Sequence, residues 1–169
     1  MKIITLYRIF SYILIIIAFF LGLGVVLALF LALANPALLL NVFVAAAVVM
    51  YSISSFLFLI NGIDGKKNQK PGMKDFIRVN AFVAIVFAVM NIFQAANVIV
   101  NPAVLNEAIA KMPNLSTAKQ TIPIGLILKV MKAILWFLLL YSMVLLVHIQ
   151  ISFRYLKQFE HLFTTGTKE

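Results

Sequence analysis

Four long apolar runs, at about 9–34, 37–60, 79–100 and 126–150, leave this chain few ways to fold. Each meets the roughly 20 residues that a helix needs to cross about 30 Å of hydrocarbon. A backbone surrounded by lipid has no water to pair with, so a spanning segment must satisfy its own hydrogen bonds. Helices do this within one segment. The composition agrees: the chain is 64% hydrophobic and only 11% charged, with a mean hydropathy of +1.09. A soluble domain of 169 residues has too little polar surface to cover so much apolar side chain.

The predicted fold is therefore an all-α integral membrane protein, with four transmembrane helices in a bundle forming a single membrane domain over 1–169. The first run follows Lys2 and Arg8 and is too long for the h-region of a signal peptide, so it is read as a retained span. Asn35-Pro36-Ala37 supplies an N-cap and a proline at the first helical position, which predicts a tight turn into the second span. Asn61-Gly62-Ile63-Asp64-Gly65 has turn chemistry and leads into a basic loop. Asn101-Pro102-Ala103 follows the third span, and 102–112 has the pattern of a short amphipathic helix on the outer side. Beyond Gln150, apolar Leu156, Phe159, Leu162 and Phe163 recur at helical spacing among charged residues. They predict an amphipathic C-terminal extension that lies at the interface or packs on a partner.

Charge orients the bundle. Lys2, Arg8, Lys66, Lys67, Lys70, Lys74, Arg78, Arg154, Lys157 and Lys168 fall on the side that holds both termini. The positive-inside rule makes that side the cytoplasm, and the expected setting is a bacterial inner membrane. The net charge of +9 is thus accounted for by topology and does not call for nucleic acid. Lys66, Lys67, Lys70, Lys74 and Arg78 also form a cytoplasmic basic loop suited to anionic lipid headgroups. At the other end of the last span, Lys129 and Lys132 share a face with Trp136 and are expected to anchor the helix at the interface.

The third span carries Asn80, Asn91, Gln94 and Asn97 on one face, with Ala81, Ala84, Ala88 and Ala95 beside them. The second span offers Asn41, Ser52 and Ser55 along a matching stripe. An unpaired amide in hydrocarbon costs several kcal/mol, so these residues are expected to form an interhelical polar face. Alternatively they line a path for solute. His148 is the only histidine in a span and is read as a hydrogen-bonded structural residue.

The spans contain no Asp or Glu, and the chain has no cysteine. Acid–base pairs, a serine–histidine–aspartate constellation and a thiolate or metal cluster all lack members there. No catalytic, metal or cofactor residue is assigned, and no cofactor is expected. The predicted role is a non-catalytic subunit or scaffold that associates with partner membrane proteins or with itself. The alternative is a homo-oligomeric channel or carrier for a small neutral or anionic solute. The repeated Asn-Pro-Ala also suggests a duplicated helical hairpin, aligning Phe10 with Phe76 and Ala18 with Ala84.

Overall fold

The computed structural model describes residues 2–101, 103, 104, 107 and 124–163. Among them there is no strand, and four helices are long and apolar enough to cross a membrane. These are α1 (Lys2–Ala34), α2 (Leu39–Leu57), α3 (Pro71–Val100) and α4 (Ile124–Gln158). The outer amphipathic helix expected over 102–112 lies largely outside the described residues, as does the chain after Phe163.

The first turn forms as its sequence dictates. The Asn35 amide closes α1 on the Leu31 carbonyl at 3.0 Å, and the Asn35 side chain accepts from the Ala37 amide at 3.2 Å. Pro36 then starts a single 3₁₀ turn that feeds α2.

The other end of α2 departs from expectation. The segment predicted to turn at 61–65 continues the helix through Phe58–Asp64 in a widened π form, and the chain reverses only at Gly65. Two glycines explain this. A Cβ on Gly62 would meet the buried Phe58 ring at 2.9 Å, so Gly62 makes room for that ring within the helix. At Gly65 a Cβ would lie 2.8 and 2.9 Å from the Asn61 and Ile60 carbonyl oxygens, and the Gly65 amide binds the latter. The residues that look like a loop thus make the tight end of a wide helix.

After α4, a 3₁₀ turn (Glu160–Phe163) folds back. Leu162 and Phe163 are buried; the Leu162 carbonyl accepts from the Gln69 amide at 2.7 Å, and the Phe163 ring lies 5.3 Å from that of Phe58. The apolar face of the C-terminal extension is therefore covered by its own chain.

Two compact units emerge. The first comprises Met1–Phe87 with Val144–Glu169, and the second comprises Ala88–Met143. In the first unit α1 and α2 pack side by side, and Gly22 of α1 approaches Val49 of α2. Buried positions in the second unit include Ala88, Ala95, Leu139, Tyr141 and Ser142.

The helices repeat a burial register. Tyr7, Ser11, Leu14 and Ala18 of α1 are buried, and so are Ile77, Ala81, Ala84 and Ala88 at the same spacing in α3, with Arg8 matched by Arg78. In α2 and the π turn that continues it the series Val48, Tyr51, Ser52, Ser55, Phe58 and Leu59 is buried, as is Leu145, His148, Ile149, Ser152, Tyr155 and Leu156 of α4. Ser55-Phe56-Leu57-Phe58-Leu59 thereby aligns with Ser152-Phe153-Arg154-Tyr155-Leu156. Tyr51 bonds His148 and Ser55 bonds Ser152, both pairs 97 residues apart, so equivalent residues meet each other. Such self-matching contact is the mark of a local two-fold relation. This register differs by one helical turn from the alignment suggested by Asn-Pro-Ala, setting Ala18 beside Ala88 rather than Ala84.

Candidate functional site

One polar cluster in the first unit draws together three helices, and a pair spaced one helical turn apart contributes each side of it. Tyr7 and Ser11 come from α1, Tyr51 and Ser55 from α2, His148 and Ser152 from α4. Residues at i and i+4 lie one above the other on a helix face, so each pair presents two polar groups toward the same neighbour. All six are buried.

Hydrogen bonds hold the histidine at both ring nitrogens. Ser11 Oγ donates its single proton to the Tyr7 carbonyl at 2.8 Å, so toward His148 it can only accept. His148 Nε2, at 2.9 Å, must therefore carry the proton. Nδ1 lies 2.8 Å from the Tyr51 hydroxyl, so both ring nitrogens are engaged. Tyr7 stacks on it with ring centroids 4.8 Å apart and planes 9° from parallel. The Tyr7 hydroxyl pairs with Ser55 Oγ at 2.9 Å, which in turn lies 3.4 Å from Ser152 Oγ. Tyr155 tilts against Tyr7 at 5.1 Å. Buried networks of this kind specify one packing because an orphaned member costs the desolvation of its polar group.

The predicted site residues are placed as follows. Ser52 and Ser55 are buried; Ser52 bonds back to the Val48 carbonyl at 2.9 Å, and Ser55 joins the cluster. Asn41 is exposed and lines a shallow groove of about 240 Å³ between α1 and α2, with Gly24, Ala28 and Ala45. Asn80 is half-buried and donates to the Phe76 carbonyl of its own helix at 2.8 Å. Asn91 is half-buried, whereas Gln94 and Asn97 are exposed. The alanines beside these amides, Ala81, Ala84, Ala88 and Ala95, take the fully buried positions of α3. Lys129, Lys132 and Trp136 are exposed on α4.

In the basic loop the charges diverge. Lys74 pairs with Glu160, and its hydrogen bond and charge hold that carboxyl below the usual range. Arg78 lies 3.8 Å from Asp75, while Lys66, Lys67 and Lys70 are exposed. Of these, Lys66 has a left-handed backbone, with φ of 50°.

No family model, curated protein or solved structure matches this chain. The reading of its role therefore rests on its own residues. Sequence reasoning identified His148 as a bonded residue but did not find Tyr7, Ser11 and Tyr51. The available signal was the recurring aromatic-x-x-x-serine or histidine-x-x-x-serine spacing in three separate spans.

Proposed function

We propose that the chain is a small non-catalytic subunit or scaffold of a membrane complex, with both termini in the cytoplasm of a bacterial inner membrane. One observation carries this reading: amides lie exposed on the protein's surface within apolar spans. On α3, Lys74, Asp75 and Arg78 mark the polar end, so hydrocarbon begins near Val79. At 1.5 Å per residue, Gln94 then lies about 22 Å into a layer about 30 Å thick, and Asn97 about 27 Å. Asn41 is about 8 Å along α2 from Pro36. An amide facing lipid tails at such depths is costly, and interhelical hydrogen bonds in membranes are worth about 0.6–2 kcal/mol each. A partner's transmembrane helix with amide or hydroxyl groups supplies that bond. The saturated state of His148 also supports a structural role.

The orientation follows from the excess of Lys and Arg on the side with both termini. The bilayer and partner membrane subunits, or further copies of the chain, are the expected neighbours.

Purification of the tagged full chain in mild detergent or native nanodiscs, with the mass of the assembly measured, tests the proposal. A defined heteromeric complex is expected. Gln94→Leu combined with Asn97→Leu should weaken it by roughly 10- to 1,000-fold if two hydrogen bonds are lost. A monomer would sink the reading. A homo-oligomer whose Gln94→Cys and Asn97→Cys variants react with water-soluble thiol reagents would replace it with the channel or carrier.

A further inference from the structure

At the polar end of the first unit, α1, the π turn and the C-terminal 3₁₀ turn enclose a cleft of about 610 Å³. Ile4, Ile63 and Leu162 give it apolar walls, and Arg8, Lys66 and His161 give it basic ones. Asp64 is the acidic group in the lining, and it is paired with Arg8. Lys66 has no carboxylate partner among the described residues, and its ammonium is exposed.

The backbone at Lys66 adds a second observation. A left-handed conformation is unfavourable for a lysine and comfortable for glycine or asparagine. The turn after Gly65 is tight enough to impose it, and the residue held there is a cation lining the cleft. Strain of this sort clusters at ligand clamps.

The surroundings indicate what kind of anion fits. Arg8, Tyr12, Ile15 and Phe19 follow one another up the same side of α1 at helical spacing, and Tyr12 and Phe19 are more than half exposed. The cleft thus opens at the end of an apolar track on a helix long enough to span the membrane. The second hairpin differs at the corresponding place. Lys74 stands where Ile4 does in the repeated register, and it is tied to Glu160.

We propose that this cleft binds the phosphate-bearing headgroup of an anionic membrane lipid, with Lys66 and Arg8 on the phosphate and an acyl chain along the Tyr12–Phe19 side of α1. A phosphate accepts charge-assisted bonds from both side chains, and the Arg8 guanidinium has donors left after its contact with Asp64. The site is a defined pocket with one committed lysine. It differs from the general attraction of a basic loop, which all of its lysines share.

The test uses the full chain exchanged into vesicles of mixed phosphatidylcholine and phosphatidylglycerol, followed by native mass spectrometry of retained lipid. The wild type should keep one phosphatidylglycerol in preference to phosphatidylcholine. Lys66→Asn, which suits the left-handed backbone, should lower that retention by about tenfold, as expected for loss of one charge-assisted bond. Lys67→Asn, next along the chain and outside the cleft, should change it less than about twofold. Lys66→Gly should raise the melting temperature while also lowering retention, which separates the lysine's ligand role from any structural one. Equal losses for Lys66→Asn and Lys67→Asn, or no preference for phosphatidylglycerol in the wild type, would overturn the proposal. Displacement of the lipid by millimolar inorganic phosphate would reassign the cleft to a soluble anion.

Discussion

The two hairpins share a burial register, yet they use it for different chemistry. In α1 the buried series begins with a tyrosine and a serine; in α3 the same positions hold Ile77, Ala81, Ala84 and Ala88. In α2 and α4 the series coincides at Ser55 and Ser152 and differs at Tyr51 and His148, which then bond one another. Packing geometry is shared while the seam chemistry has split. One side of the arrangement is held by directional bonds. The other has small side chains, which allow backbones to approach closely in lipid, where no hydrophobic force draws helices together.

Removing the directional bonds should have the largest effect. His148→Leu removes two buried hydrogen bonds, to Tyr51 and to Ser11, and should cost about 2–4 kcal/mol of stability. Unfolding in bicelles by added sodium dodecyl sulfate measures it; a loss under about 0.5 kcal/mol would mean the cluster does not hold the first unit together.

A matched pair of substitutions sharpens the contrast between hairpins. Ser11→Ala removes the acceptor for His148 Nε2–H and should cost about 1–3 kcal/mol. Ala81→Ser, at the equivalent position of α3, should change stability by less than about 1 kcal/mol, because its hydroxyl can bond the Ile77 carbonyl one turn back. Similar costs at the two sites would erase the proposed difference between seams.

The smallest effect concerns the ion pair that closes the second hairpin's polar end. The Glu160 carboxyl is held below its ordinary range by its hydrogen bond to Lys74 and by that residue's charge. Its contribution is therefore present above the ordinary carboxylate value and lost as pH falls through the lowered one. A melting-temperature series from neutral to acid pH should show a slight extra decline in the wild type that Glu160→Gln lacks. Glu160 is highly exposed, so the step should shrink with added salt.

Much of this architecture is legible in the chain. The apolar run lengths locate four spans, and Asn35-Pro36 locates the first turn with its cap. The π turn is hidden because Asn61, Gly62, Asp64 and Gly65 are individually turn residues; the need of Phe58 for space beside Gly62 appears only in three dimensions. His148 is legible as a residue needing partners, but nothing local says that they come from α1 and α2. The amide stripe of α3 is visible and its neighbours are correctly placed beside it. Which of the two stripes turns inward depends on side-chain size at the contact, and there alanine occupies the buried positions. The repeat is harder to see, since its shared register lies in buried positions while the repeated tripeptide marks ends that are not equivalent.

The His148 cluster also bears on how the protein is made. Tyr7, Ser11 and Tyr51 enter the membrane with the first two helices, whereas their common partner lies near the end of the last one. Until the ribosome has delivered α4, those groups have no imidazole to close on. A nascent chain stalled after α2 or α3 can already pair Tyr7 with Ser55 and Ser11 with the Tyr7 carbonyl, but it lacks the two bonds to the imidazole. The cluster is therefore completed only when α4 joins the first two helices.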